Sequence, residues 1–172
     1  AATKAYDGNT TFTSGTVTLS NLSGGQTINT SGSIATNSAN VASYGTSDIT
    51  VCSLSLADGT GAASNYTLVG GTYSATVTQK VLGLSGSKVY DATTTVSNSD
   101  LLTFSNIVSG ESLTVTGSGT VTDQNVGTNK SVTLGTLALA DNTASASNYS
   151  LSSATLNITQ RPLNVTATKA YD

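Results

Sequence analysis

The sequence predicts an all-β protein made of two tandem copies of one repeat, and two observations support that prediction. The motif Lys-x-Tyr-Asp occurs at residues 4–7 and returns at 88–91 and 169–172, about 80 residues apart each time. That period is too long for one turn of a solenoid and long enough for a small domain. Between the motifs, apolar residues alternate with Ser, Thr or Asn, a pattern typical of half-buried β-strands.

The strands are predicted where this alternation is clearest. These positions are Val17 and Leu19, then Tyr73, Ala75 and Val77, then Leu113 and Val115, and finally Leu156 and Ile158. No window combines a period of 3.6 residues with strong helix formers. We therefore expect two Ig-like β-sandwich domains end to end, each of about seven short strands. A β-grasp-like or otherwise irregular β fold is the alternative.

Matched blocks define where each copy begins and ends. The pairs are residues 19–22 with 104–107, 32–33 with 117–118, 40–41 with 125–126, 56–58 with 139–141, and 63–66 with 146–149. We place the first repeat at residues 1–80, with its first strand truncated, the second at 81–161, and the opening strand of a third at 162–172. Because about two residues join one repeat to the next, we expect a stiff, extended arrangement.

The alternation changes phase once within each copy. The residues concerned are Ile49 and Val51 against Leu54 and Leu56, and in the second copy Val132 and Leu134 against Leu137 and Leu139. A strand can absorb the extra residue as a β-bulge, here at Cys52-Ser53 and Gly135-Thr136. It can also turn a corner from one sheet to another, and the sequence leaves both interpretations open.

The composition offers few side chains suited to catalysis or metal binding. The 172 residues include no His, Trp or Met and a single Cys, Cys52, whereas Ser and Thr make up about a third of the chain. Without a base to activate it, neither Cys52 nor a Ser is expected to act as a nucleophile. We therefore expect no enzymatic activity, no catalytic residue, no cofactor and no bound metal.

The charge also limits the classes of partner. Six basic and nine acidic residues give a net charge of −3. That balance provides no basic face for nucleic acid or for an anionic lipid surface. No stretch reaches the roughly 18 apolar residues of a membrane helix, so we expect no membrane insertion.

Three motifs taken together resemble a known repeat. They are Lys-x-Tyr-Asp-(Gly/Ala)-x-Thr, Asn-Val-Gly-Thr-x-Lys at residues 125–130, and Ser-Asn-Tyr-x-Leu. In combination they resemble the YDG-type repeat of large bacterial surface and two-partner-secreted adhesins. The resemblance implies tandem extracellular β domains, secreted or on the bacterial cell surface, in the stalk of a fibrillar adhesin. Because Ala92 stands where the first copy has Gly8, we expect that this position does not require a positive φ.

The residues repeated between the copies are expected to be structural. They are Lys4, Tyr6 and Asp7, their counterparts Lys88, Tyr90 and Asp91, and the pairs Asn65-Tyr66 and Asn148-Tyr149. The Tyr ring is expected to pack, the Asp to accept backbone N–H groups in the following turn, and the Lys to lie at the surface with its stem covered. The loops that begin at Asp58 and Asp141 offer one carboxylate each, which favours a turn over a calcium site.

Two functions compete on this basis. The first is a structural spacer that projects a distal adhesive region in cell adhesion or biofilm formation, with neighbouring repeats of the same chain as partners. The second is a module that binds a glycan or a protein of the host or matrix. Features present only in the first copy, Tyr44 and Tyr73, are the candidate ligand contacts in that case.

Overall fold

The computed structural model describes residues 1–13, 18–51, 53–68 and 73–170. The described elements are β-strands joined by turns and single-turn 3₁₀ segments, which confirms the all-β prediction. The Ig-like sandwich stays a prediction. Nothing described here is a helix of the length and apolar character needed to cross a membrane.

The strands of the first repeat are short. They are β1 (Ala2–Ala5), β2 (Thr11–Thr13), β3 (Ile28–Ser31), β4 (Ser33–Thr36), β5 (Ala42–Tyr44), β6 (Ile49–Val51), β7 (Ser55–Asp58) and β8 (Ala75–Thr78). They form sheets in the orders β1-β8-β5, β2-β4-β6 and β3-β7. The opening strand β1 pairs in parallel with the closing strand β8, and the other pairs are antiparallel.

The second repeat arranges matching strands differently. They are β9 (Lys80–Val89), β10 (Thr95–Ser97), β11 (Leu101–Ser105), β12 (Thr114–Thr116), β13 (Ser118–Val121), β14 (Gly127–Thr133), β15 (Ala138–Ala140) and β16 (Tyr149–Thr159). Six of them form one sheet in the order β10-β13-β14-β16-β9-β11, and β12 pairs with β15. The opening strand β9 again lies next to the closing strand β16.

The chain divides into two compact units whose boundaries differ from those of the repeats. Unit 1 comprises Ala1–Lys80 together with Val108–Glu111 and Ala144–Ser150, and unit 2 comprises the rest. Unit 1 buries Phe12, Ile34 and Val77. The core of unit 2 is built by Leu84, Val96, Leu101, Val121, Val132, Leu137, Ala154, Leu156 and Ile158. Alternate residues of the strands supply both cores, as the two-residue period predicts.

The phase change of the alternation is a corner between sheets. β6 pairs with β4 whereas β7 pairs with β3, and β14 and β15 likewise belong to different sheets. The facing strand bends at the same level, at Gly32 (φ +101) in the first repeat and Gly117 (φ +82) in the second. A Cβ on Gly32 would lie 1.8 Å from the carbonyl oxygen of Ser53. Cys52 lies outside the described residues.

The expectation about Gly8 is wrong. Gly8 has φ +77 and Ala92 has φ +62, so both copies use the left-handed region immediately after the Tyr-Asp pair. Alanine adopts that conformation at a cost of about 1 kcal/mol, which a folded turn can offset. Replaceability by alanine was therefore a poor guide to the backbone here.

The opening strand of a third repeat, placed at residues 162–172, stays a prediction. Residues 162–170 are exposed and carry no strand assignment. In both preceding repeats the opening strand pairs with a closing strand from the far end of the same repeat.

Candidate functional site

The first repeated feature is an ammonium group enclosed by oxygen atoms. Lys4 lies on β1, and its Nζ donates to Asp7 Oδ1 at 2.7 Å and to the carbonyl oxygens of Asn9 at 2.6 Å and Thr11 at 2.9 Å. The same Nζ lies 4.9 Å from the centroid of the Phe12 ring. Asp7 also accepts the backbone N–H of Asn9 at 2.9 Å. The lysine thus joins β1 to the start of β2 across the intervening turn.

The second copy reproduces this network. Lys88 Nζ donates to Asp91 Oδ1 at 2.9 Å and to the carbonyl oxygens of Thr93 and Thr95 at 3.1 and 2.7 Å. Asp91 accepts the backbone N–H of Thr93 at 3.0 Å. The side chains of Lys4 and Lys88 are only 10% and 6% exposed. The expectation that these lysines lie at the surface is therefore wrong, because backbone oxygens satisfy their charge inside the turn.

The lysines lower the pKa of their aspartate partners. Burial would raise the pKa of Asp7, but the hydrogen bonds from Lys4 and the Asn9 N–H outweigh it and lower the pKa. Hydrogen bonds from Lys88 and the Thr93 N–H lower the pKa of Asp91 to about 2. Both carboxyl groups are thus ionised at any pH near neutrality, and each ion pair stays formed.

Unit 1 contains a second cluster, in which one carboxylate accepts two phenols. Tyr6 Oη donates to Glu111 Oε1 at 2.6 Å, and Tyr149 Oη donates to Glu111 Oε2. The two rings meet edge to face, with centroids 5.3 Å apart and planes at 76°. The backbone N–H of Val108 donates to Tyr149 Oη at 3.2 Å. Tyr6 and Tyr149 are both buried, so the phenols are held at ring and hydroxyl alike.

Burial and the carboxylate together suppress ionisation of these phenols. Burial, followed by the hydrogen bond to Glu111, raises the pKa of Tyr6 to about 12. The same two causes, in the same order, raise the pKa of Tyr149 further. A phenolate would be repelled by the neighbouring carboxylate, and the tyrosine would also lose the proton that it donates to that carboxylate. In this cluster two neutral phenols therefore donate hydrogen bonds to one carboxylate, and neither phenol supplies a basic phenolate.

A buried amide completes the cluster. Asn148 Oδ1 accepts the backbone N–H of Val41 at 2.9 Å, and Asn148 Nδ2 donates to Asn40 Oδ1 at 2.9 Å. Nearby, Gln79 Nε2 donates to the carbonyl oxygen of Ser147 at 3.2 Å. Asn148 is 2% exposed, and burial of an amide is tolerated only because its oxygen and nitrogen find partners.

The corresponding residues of the first copy are solvated. Tyr66 Oη donates to Gln26 Oε1 at 2.7 Å, and the backbone N–H of Ser23 approaches Tyr66 Oη at 3.4 Å. Asn65 and Gln26 are exposed and Tyr66 is half-buried. The Tyr66 hydroxyl thus donates to a side-chain oxygen and faces a backbone N–H, as the Tyr149 hydroxyl does. Tyr66, however, is half-buried whereas Tyr149 is buried.

One family accounts for nearly the whole described chain. The YDG domain matches residues 1–77 and again residues 73–156. The chain belongs to the YDG domain family. No curated protein and no solved structure matches it. The first match covers most of the first set of strands, the second covers most of the second set, and the two overlap at residues 73–77.

The candidate ligand contacts of the first YDG repeat lie close together in structure but not on an open surface. Tyr44 is buried on β5, and its hydroxyl donates to the carbonyl oxygen of Asn40 at 2.6 Å. Tyr73 is half-buried, and its backbone N–H donates to Thr46 Oγ1 at 3.0 Å. Tyr44 therefore presents little of its ring to any ligand.

The loops considered for calcium are tied down internally. Asp58 Oδ1 accepts the backbone N–H of Ala63 at 2.7 Å. Thr60 Oγ1 accepts the N–H of Thr27 at 2.8 Å, and Thr143 Oγ1 accepts the N–H of Ser112 at 2.8 Å in the second YDG repeat. Within the described part of the chain, no three His, Cys, Asp or Glu side chains are grouped as a metal site would require.

Sequence reasoning missed Glu111 and Gln26, the residues to which the tyrosines bond. A signal was present, because Glu111 is the single Glu of the chain and follows the matched Gly110, as Gln26 follows Gly25. It also missed the ion pair of Lys130 with Asp123, at 2.6 Å. The hydrogen bond from Lys130 lowers the pKa of Asp123.

Proposed function

We propose that the chain is a pair of structural spacer repeats from a bacterial extracellular adhesin. In this proposal the repeats are Ig-like sandwich domains in a secreted or surface-attached stalk. They project a distal adhesive region away from the cell during adhesion or biofilm formation. Their partners are neighbouring repeats, and they catalyse no reaction. Membership of the YDG family and the two consecutive matches support a tandem array.

One observation carries this proposal: the lysine and the aspartate of the recurring motif bond within their own repeat. An ammonium group has three protons to donate. Lys4 places its Nζ within 3 Å of three oxygen atoms of residues 7–11, and Lys88 is bonded within residues 91–95 in the same way. Groups satisfied in this way have no donor left for a ligand. Recurrence of the motif is therefore explained by recurrence of the fold.

A length series tests the spacer role. The full chain is compared with proteins in which two and four copies are joined at the shared Lys-x-Tyr-Asp motif, each anchored at one end and tagged at the other. We expect the distance from anchor to tag, measured by small-angle scattering and by atomic force microscopy, to grow by a constant increment per copy. A distance that stays constant or grows only as the square root of copy number would contradict a spacer.

A glycan array and a matrix-protein panel test the competing function. The full chain is expected to bind nothing specifically. Binding that is abolished by Tyr44→Ala or Tyr73→Ala would instead establish a ligand-binding module. Because Tyr44 is buried, its variant must first be verified as folded by amide NMR. The Tyr73→Ala variant is the cleaner probe.

A further inference from the structure

Each YDG repeat carries two surfaces, and within unit 1 one surface of the first repeat contacts the other surface of the second. We name the first of these the tyrosine face, which consists of Tyr6, Gly8, Asn40, Val41 and Gln79. The second is the loop face, which consists of residues 108–111 and 147–149. All of these residues belong to unit 1. The contacts between the faces are those of Tyr6 with Glu111, Val41 and Asn40 with Asn148, and Gln79 with Ser147.

Both faces occur a second time in the chain. The second repeat supplies another tyrosine face with Tyr90, Ala92, Asn125, Val126 and Gln160 at the matching positions. The first repeat supplies another loop face, formed by residues 23–26 and 64–66. The sequence blocks Asn-Val and Ser-Asn-Tyr, which recur in both copies, are thus the two sides of one set of contacts.

These second faces are less buried than their counterparts, with Tyr66 half-buried and Tyr90 partly buried against the core of unit 2. Asn65 is exposed where Asn148 is buried. Val126 is 51% exposed, whereas its counterpart Val41 is half-buried. The Tyr90 hydroxyl has no hydrogen-bond partner among the described residues, unlike that of Tyr6. The Gln26 amide already accepts from Tyr66 and keeps its Nε2 available to an incoming hydroxyl.

The two free faces also fit each other in volume. A Cβ on Gly8 would lie 3.3 Å from Val108 Cγ1, so the contact within unit 1 places a small residue against a large one. In the free faces the sizes are reversed, since Ala92 replaces Gly8 and Ser23 replaces Val108. The additional methyl group of Ala92 therefore meets a shorter side chain. This compensation is what a contact between Ala92 and Ser23 requires.

We propose that the loop face at residues 23–26 and 64–66 binds the tyrosine face of another copy of this repeat, with Tyr90 on Gln26, Val126 and Asn125 on Asn65, and Ala92 on Ser23. The contact is head to tail, because each copy offers one face of each kind, and such contacts extend from copy to copy unless the rotation between copies closes a ring. It joins successive copies in a chain or, between separate chains, extends an assembly. It holds whether the repeats act as spacers or as a binding module.

The expected affinity is low. Contacts inside a tandem chain benefit from an effective concentration of about millimolar, so an interaction this weak is sufficient there. Gln26 also replaces the carboxylate of Glu111, and a hydrogen bond between the neutral Gln26 Nε2 and a hydroxyl is weaker than one from a hydroxyl to a charged acceptor. We therefore expect separate chains to associate only at high concentration.

Amide NMR and sedimentation velocity of the full chain, at concentrations up to about 1 mM, test the proposal. Wild-type chains are expected to associate, with concentration-dependent shifts at residues 23–26, 64–66, 90–92 and 125–126. Asn65→Ala and Val126→Asp are expected to weaken association at least about tenfold, because the first removes two hydrogen bonds and the second buries a charge. Leu102→Asp, at a side chain 78% exposed and outside both faces, is the control and should associate as wild type does.

Mixing decides the head-to-tail geometry. The Asn65→Ala chain keeps an intact free tyrosine face and the Val126→Asp chain keeps an intact free loop face. Each alone is expected to be monomeric, and their mixture should form a one-to-one complex that grows no further. Gln26→Glu is expected to tighten wild-type association about fivefold, because the hydrogen bond then has a charged acceptor.

Three results would overturn the proposal. One is a wild-type chain that stays monomeric throughout the range while Gln26→Glu also fails to associate. Another is association that survives both Asn65→Ala and Val126→Asp. The third is a mixture that behaves as the sum of its components. None of these bears on the length series, so failure here and failure of the spacer role are separable.

Discussion

The first and second repeats differ most in the stretch before the corner. In the first repeat, β5 and β6 are separated by a 3₁₀ turn at Thr46–Asp48, where Asp48 Oδ2 accepts the backbone N–H of Gly45 at 3.0 Å. In the second repeat, β14 runs without interruption through Gly127–Thr133. β14 absorbs its extra residue as a register shift between Gly127 and Lys130. Asn129 takes φ +51 there.

That local difference decides how many sheets each repeat has. β5 pairs with β8, and β6 pairs with β4, so the turn leaves two separate three-stranded sheets. β14 pairs with both β13 and β16 and thereby joins the matching strands into one sheet. The Lys-Asp network and the corner glycine are unchanged between the copies. The repeat is therefore defined by its opening motif and its corner, whereas sheet continuity varies with one turn.

The largest expected effect tests whether the corner is common to both repeats. Gly32→Ala and Gly117→Ala place a Cβ 1.8 Å from the carbonyl oxygen of Ser53 and 2.1 Å from that of Thr136, at positive φ in both cases. We expect each to lower the free energy of unfolding of its own unit by about 3 kcal/mol or more. Denaturant titration followed by amide NMR resolves the two units.

Gly110→Ala is the matched control for these variants. Gly110 has φ +83, but a Cβ there would meet nothing within 4 Å. Gly110→Ala should lower the free energy of unfolding by about 1 kcal/mol only, the cost of placing alanine at positive φ. Equal losses at Gly110 and Gly117 would show that close approach across the corner is unimportant.

The next effect concerns the enclosed lysines, which the two copies hold alike. Lys4→Met and Lys88→Met leave the aspartate and the carbonyl oxygens without their donor. We expect each to lower the free energy of unfolding by about 2–4 kcal/mol, and by similar amounts, because the networks match. Lys130→Met, whose described bonds go only to Asp123, should cost about 1 kcal/mol. Unequal losses at Lys4 and Lys88 would contradict the equivalence of the motifs.

The aspartate of the motif gives an independent readout of the same variants. The pKa of Asp91, about 2 in the folded protein, should return toward its usual value in Lys88→Met, which carboxyl-carbon NMR can follow. Since the folded-state pKa lies below the unfolded-state value, the ion pair stabilises the fold above about pH 4. That stabilisation is lost as the pH falls through about 2. If the pKa of Asp91 is the same in Lys88→Met as in wild type, Lys88 is not the cause of its lowering.

The strand at Ala75 and Val77 was predictable because its signal, the alternation with Thr, is visible within a few residues. The same signal at Val17 and Leu19 was a weaker guide, since Leu19 lies in no strand and Val17 lies outside the described residues. The choice between bulge and corner was not predictable, because both produce the same change of phase. The partner of Tyr6 was even less accessible, since Glu111 lies 105 residues away in sequence. A sequence period gives the length of a repeat but does not say which residues of successive copies touch.

A smaller effect contrasts Tyr6 with its counterpart Tyr90. The pKa of Tyr6, about 12, lies above the unfolded-state value near 10, so the neutral phenol stabilises unit 1 fully below about pH 10. That stabilisation, about 2 kcal/mol, should be lost as the pH rises from 10 to 12. Denaturant titrations across this range, with tyrosinate absorbance, should show the loss in wild type and a shallower one in Tyr6→Phe. Tyr90→Phe is the control and should lose as much stability over this pH range as wild type does. If Tyr6→Phe loses stability as steeply as wild type, the alkaline effect does not come from Tyr6.

The smallest effect addresses the turn that divides the sheets of the first repeat. Asp48→Ala removes the acceptor for the Gly45 N–H and for Asn37 Nδ2, at 3.0 Å each, and should cost about 1 kcal/mol. Asp100→Ala removes the matching acceptor of the Ser97 N–H in the second repeat and is the control of equal chemistry. If the turn holds β5 and β6 apart, faster amide exchange in Asp48→Ala should spread from residues 45–48 into both strands. In Asp100→Ala the six-stranded sheet should keep its protection at β14. Exchange confined to the turn in both variants would mean that side-chain capping does not determine where the first repeat divides its sheets.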